Sequence, residues 1–138
     1  MPLDPKLRAA YEAADYVVFG EPELVFRIGQ PNADLDALLE ADGALGAAYV
    51  TAANPRGLQT GAADNLAAVE ALLEDLSAFS YRCYPGEGRD PEDLWSPEPS
   101  VLVVGIGRAN AEELGRRLEQ NAIVFIEKGQ APELVVLA

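Results

Sequence analysis

Any chemistry performed by this chain is done without histidine, since none occurs among its 138 residues. A Ser-His-Asp or Cys-His nucleophilic arrangement is therefore excluded within the chain. So is a zinc site of the usual histidine or multi-cysteine type, because Cys83 is the only cysteine. Cys83 follows Tyr81 and Arg82 and precedes Tyr84, so it reads as a strand residue rather than a nucleophile, and it has no partner for an intrachain disulfide. No cofactor and no metal is expected. Acid-base work would fall to carboxylates, lysine or tyrosine. Glu87 and Glu98, in a stretch rich in proline, glycine and acids, are the candidate general bases. The candidate ligand-binding set is Asn54, Asn65, Trp95, Glu98, Ser100, Gln120 and Asn121, which offers amides, a hydroxyl, a carboxylate and one large aromatic ring.

These residues are spread over nearly seventy positions, so only the fold can unite them. Residues 4–14 read as a short helix, and Tyr16–Phe19 and Leu24–Ile28 as a hairpin around the turn Gly20-Glu21-Pro22-Glu23. Asn32 is placed to N-cap a helix with Asp34 and Asp36 in its first turn, where the macrodipole favours acids. Leu35, Leu38 and Leu39 would be its buried stripe and Gly43 its stop. Ala47–Ala52 reads as a strand, followed by a loop through Asn54-Pro55-Arg56-Gly57. Residues 62–79 carry Leu66, Val69, Leu72, Leu73, Leu76 and Phe79 at helical spacing. A short strand, Tyr81–Tyr84, and a long loop, Pro85–Pro99, lead into the apolar strand Ser100–Val104.

Gly105-Ile106-Gly107 lacks the third glycine of a dinucleotide loop, because Asn110 stands there, and it reads as a tight strand-to-helix turn. Asn110 with Glu113 resembles a capping box for the helix that follows, with Leu114 and Leu118 on its core face. Ala122–Ile126 and Leu134–Leu137 complete the strands.

The order from residue 47 to 126 is β-α-β-β-α-β, the signature of a ferredoxin-like split βαβ arrangement. The expected fold is thus a single α+β domain over residues 1–138, a two-layer sandwich with a ferredoxin-like core. An N-terminal helix-hairpin-helix and a C-terminal strand would extend the sheet or cover its open side. In this topology one sheet edge collects Thr51 and Asn54, then Pro85-Gly86-Glu87, then Glu98 and Ser100, then Gln120 and Asn121. The start of helix 62–79, with Asp64 and Asn65, points there, and Trp95 lies on the loop that passes over it. A small polar cleft with an aromatic wall is one reading. The other is local: Asn54 before Pro55 suits a turn, Asn121 a left-handed helix cap, and Ser100 a strand end. On that reading Glu98 is solvated or locally paired, and Trp95 anchors its loop on the core.

Net charge narrows the partners. At −13 the chain repels phosphate backbones and anionic headgroups, so neither nucleic acid nor membrane is expected. The apolar run Val101–Ile106 is far shorter than the roughly 18 residues of a membrane span. The opening residues, MPLDPKLR, have no apolar signal core after them, and a cytoplasmic location is expected. An apolar last strand at a sheet edge would invite a second copy of the chain.

Several stretches, taken together, resemble a bacterial family known as domain-of-unknown-function family 3293. They are the spaced Tyr11 and Tyr16, IGQPNADLDALL at 28–39, YVTAANP at 49–55 followed by Asn65, and PGEG at 85–88 followed by Trp95. EPSVLVVGI at 98–106 and QNAIVF at 120–125 complete the set, which spans nearly the whole chain. Ala53 departs from the larger residue expected in relatives. The resemblance implies no activity. The residues leave three functional readings: a binding or regulatory domain for a small polar ligand or protein partner, an enzyme using Glu98 or Glu87 as general base, or an assembly protein forming a homodimer.

Overall fold

The computed structural model describes residues 4–55 and 58–137. Arg56 and Gly57, part of the loop expected after the third strand, lie outside the described residues. Asp4 caps the first helix, α1 (Pro5–Ala13), by accepting from the Lys6 amide at 2.8 Å, with proline in the first turn where no amide is needed. Strands β1 (Asp15–Val18) and β2 (Leu24–Phe26) form the expected hairpin. Asn32 caps α2 (Ala33–Ala41) through a 2.9 Å bond from the Leu35 amide, and Gly43 ends it at φ 67°. Then come β3 (Gly46–Val50), α3 (Ala62–Ala78), β4 (Arg82–Arg89), β5 (Glu98–Val104), α4 (Arg108–Arg117), β6 (Ala122–Glu127) and β7 (Glu133–Val136).

All seven strands join one antiparallel sheet in the order β2-β1-β4-β5-β3-β6-β7. The most buried strands, β3 and β5, lie together at its centre, so both of their faces need cover. Alternate residues supply the two cores. Ala48, Val50, Val101 and Val103 pack with Val69, Leu72 and Leu76 of α3 and with Ala111 and Leu114 of α4. Ala47, Tyr49, Leu102 and Val104 pack on the opposite face with Leu35 and Leu39 of α2 and with Tyr16 and Phe26. The α+β class stands, but the expected two layers become three. A central strand that is apolar at successive positions cannot leave one face to water, and α2 closes it.

Two local expectations are corrected. The supposed long loop Pro85–Pro99 is mostly strand: Pro85 to Gly88 pair with Val101 to Glu98 of β5, leaving an irregular stretch only between Arg89 and Glu98. Proline and glycine suggested a loop, yet Pro85 lends its carbonyl to the Phe19 amide, and the glycines admit side chains from elsewhere. The capping box at Asn110 does not form either. Gly107 is the N-cap of α4, without a side-chain cap bond, and Asn110 is the third helical residue, within the first turn. Among the described residues no helix is long and apolar enough to cross a membrane.

Gly86 illustrates why glycine occupies a central strand. A Cβ there would lie 1.9 Å from the Val17 carbonyl oxygen and 2.7 Å from the Tyr49 hydroxyl. The Tyr49 hydroxyl fills that space and donates to the Val17 oxygen at 2.5 Å, tying β3 across the sheet to β1. Its ring meets Tyr16 and Phe26 edge-on at 5.6 and 5.3 Å. At Gly88, by contrast, the nearest atom to a Cβ is in the Trp95 ring at 4.0 Å. Gly86→Ala is expected to cost about 3 kcal/mol or more, and Gly88→Ala under about 1 kcal/mol. Urea unfolding of the two variants measures this, and equal midpoints would contradict the packing described.

Candidate functional site

The site begins where β3 ends. The Thr51 hydroxyl donates to the Pro99 carbonyl at 2.5 Å and accepts from the Ala53 amide at 2.9 Å, which bends the chain toward Asn54. Asn54 sits at φ 46°, a left-handed conformation that asparagine tolerates better than most residues. Its amide oxygen accepts from Asn65 Nδ2 at 2.9 Å and from the Thr60 amide at 3.0 Å. Its backbone amide donates to Asn65 Oδ1 at 2.9 Å, so the two asparagines bind each other reciprocally. Asn65, in the first turn of α3, is buried, and the Thr60 hydroxyl also donates to its Oδ1. The remaining group of Asn54, Nδ2, donates to Glu98 Oε2 at 2.9 Å.

Glu98 opens β5, opposite Gly88 of β4, which in turn lies opposite Tyr16 of β1. Gly88 has no side chain to fill this row, and the Trp95 ring closes over it from the loop between β4 and β5. From above comes α1, whose Leu7, Ala10 and Tyr11 reach the same space as the neighbouring Ala14. Together these elements line a partly open cavity of about 370 Å³. Asn54, Asn65, Trp95, Glu98, Ser100 and Gln120 all line it, as do the rings of Tyr11, Tyr16 and Tyr49. The α1 helix is held down by the Tyr16 hydroxyl, which donates to the Tyr11 carbonyl at 2.6 Å, and by Arg27, which donates to the Ala13 carbonyl at 2.7 Å.

Burial sets the electrostatics. Loss of water pushes the Glu98 carboxyl above its usual range, and the Asn54 amide opposes the rise by bonding the charged form. Burial also raises the Tyr11 hydroxyl, helped by the Glu98 charge and opposed by the side chain of Asn121. Tyr16 and Tyr49 are pushed well above the usual tyrosine range, again by burial first. The tyrosines are therefore neutral at physiological pH, and Glu98 is the group in the lining that can carry charge. Among the described residues no cluster of three or more acids, histidines or cysteines is placed to hold a metal ion.

Some candidates serve the backbone as well. Gln120 Nε2 donates to the Ala53 carbonyl at 2.9 Å, and the Ser100 hydroxyl donates to the Glu98 carbonyl at 3.0 Å. Asn121 does not line the cavity; its side chain bonds the Tyr11 hydroxyl, and its carbonyl accepts from the Leu137 amide at 2.8 Å. Ala53 is fully buried and meets the site through its backbone alone. Glu87 goes elsewhere: it is paired with Arg89 at 2.5 Å and does not line the cavity, and Asp64 is exposed. Sequence reasoning missed Thr60 and the α1 wall. The signal for α1 was present, since Leu7, Ala10, Tyr11 and Ala14 follow the spacing of one helical face.

The raised Glu98 value has a consequence for stability. Its folded-state pKa lies above the ordinary 4.5, so the native state favours the protonated form. The resulting penalty is absent below pH 4.5 and fully present once the pH exceeds the folded value. Glu98→Gln is accordingly expected to raise Tm at pH 7, with the gain disappearing below pH 4.5. Calorimetry across that range checks it, and a variant less stable than the parent at pH 7 would contradict a desolvated carboxylate.

No curated protein and no solved structure matches the chain. A family model described as "Protein of unknown function (DUF3293)" matches residues 50–123, more than half of the chain. The matched segment holds all seven candidate residues and ends within β6, while α1 lies outside it. With that match, the chain belongs to the DUF3293 family of proteins of unknown function.

Proposed function

We propose that the protein is a binding or regulatory domain that takes a small polar ligand into the cavity between α1, the Trp95 loop and the rim of the sheet. The observation that carries this reading is a partly open cavity of about 370 Å³ built around one desolvated carboxylate. That volume lies in the range of small-molecule sites, and the lining has their usual character of apolar walls with a few placed polar groups. Asn54 and Glu98 are tied in place, Asn54 by its reciprocal bonds with Asn65 and Glu98 by the bond from Asn54. The order β4-β5-β3-β6, antiparallel throughout with α3 and α4 on a shared face, supports reading residues 47–126 as a ferredoxin-like core carrying the site.

A second reading, an enzyme with Glu98 as general base, draws on the same burial, which brings the carboxyl closer to working pH. Binding is preferred because the tyrosines are pushed away from working pH and Cys83, half-buried on β4, has its thiol raised by burial.

Trp95 is the only tryptophan, so its fluorescence reports occupancy of the cavity directly. A panel of polar metabolites is expected to contain at least one that shifts Trp95 emission and raises Tm together. Ala10→Phe, which fills the cavity from α1, is expected to keep the fold and lose both responses. A ligand that raises Tm equally in the filled variant would place binding elsewhere and contradict the proposal.

A further inference from the structure

We infer that the cavity selects a small organic cation, an ammonium or amidinium group attached to an apolar body. This rests on the binding proposal and names the chemistry of its ligand. Among the described residues that line the space, Glu98 is the single charged side chain. Around it stand four aromatic rings, Tyr11, Tyr16, Tyr49 and Trp95, and the rest of the lining is neutral amide, hydroxyl or apolar. A negative carboxylate among electron-rich rings complements positive charge twice, through a charge-assisted hydrogen bond and through the ring quadrupoles.

The alternatives fit less well. An anionic ligand would meet Glu98 with no cation from the described lining to offset it. A neutral ligand would leave the desolvated carboxylate without a counter-charge, which is costly in a water-poor site. The wider field points the same way: Glu12 on α1 bears on the neighbouring Tyr16, and the chain carries −13 overall, so cations are drawn in and anions turned away. Asn54 contributes orientation, because its amide donates to Oε2 and fixes the plane of the carboxylate.

Three probes of one shape test this on the full chain at pH 7: 2-phenylethylamine as the cation, 2-phenylethanol as its neutral counterpart and phenylacetate as the anion. Trp95 emission and titration calorimetry are the readouts. The cation is expected to bind at least about tenfold more tightly than the alcohol, the anion most weakly, and Glu98→Gln to erase the cation's advantage. The ranking of probes on the parent protein stands as a test even if that variant folds poorly. Equal or tighter binding of the alcohol or the anion overturns the cation class while leaving the cavity a ligand site. Silence from all three, when a metabolite from the panel does shift Trp95, overturns it as well. Silence from probes and panel alike removes the binding proposal with it.

Discussion

The Asn54 side chain satisfies three separate parts of the chain at once. Its oxygen serves Thr60 and Asn65, its nitrogen serves Glu98, and its own backbone amide is answered by Asn65. Each partner comes from a different element, and a buried amide whose partner is removed costs about 1–3 kcal/mol. The loop after β3, the first turn of α3 and the start of β5 are therefore fixed relative to one another by one residue. Asparagine suits the position on a second count, because the backbone there is left-handed at φ 46°.

That constraint acts against a sheet that leaves space by omission. Gly86 and Gly88 alternate along β4 on the face toward α1, and their neighbours use the room differently. At Gly86 the Tyr49 hydroxyl occupies the gap and bonds across to β1. At Gly88 the opening is roofed by Trp95, and beneath it Glu98 faces inward from the neighbouring strand. The carboxylate is thus placed by strand register, aimed by Asn54 and deprived of water by α1 and Trp95. Chemical character follows from geometry: a group ordinarily at home in solvent becomes the charged centre of an aromatic enclosure.

The helices and most strands could be read in the chain because their signals are local. The cap at Asn32, the stop at Gly43 and Val69, Leu72 and Leu76 of α3 each lie within a few residues of the structure they specify. Leu66 and Phe79, expected on the same stripe, are exposed. The gathering of Asn54, Asn65, Glu98, Ser100 and Gln120 was legible for a different reason, because the order of elements dictates which strand ends share an edge. What escaped depended on distant partners. PGEG reads as a loop until Tyr49, from another strand, is seen to fill Gly86. Glu87 and Glu98 look alike in sequence, yet Arg89 takes one and Asn54 the other. The apolar face of α1 was written in its local spacing, but which wall it would form was not, because the partners Asn54, Trp95 and Glu98 lie far along the chain.

Everything about the site turns on Glu98 being desolvated and held in its charged form by Asn54. Titration of the Glu98 side-chain carboxyl carbon by NMR reads this directly. The midpoint is expected above 4.5, and Asn54→Ala is expected to move it higher still, because the amide that favours the charged form is gone. A midpoint at or below 4.5, unmoved by that substitution, would mean a solvated carboxylate and no sheltered site.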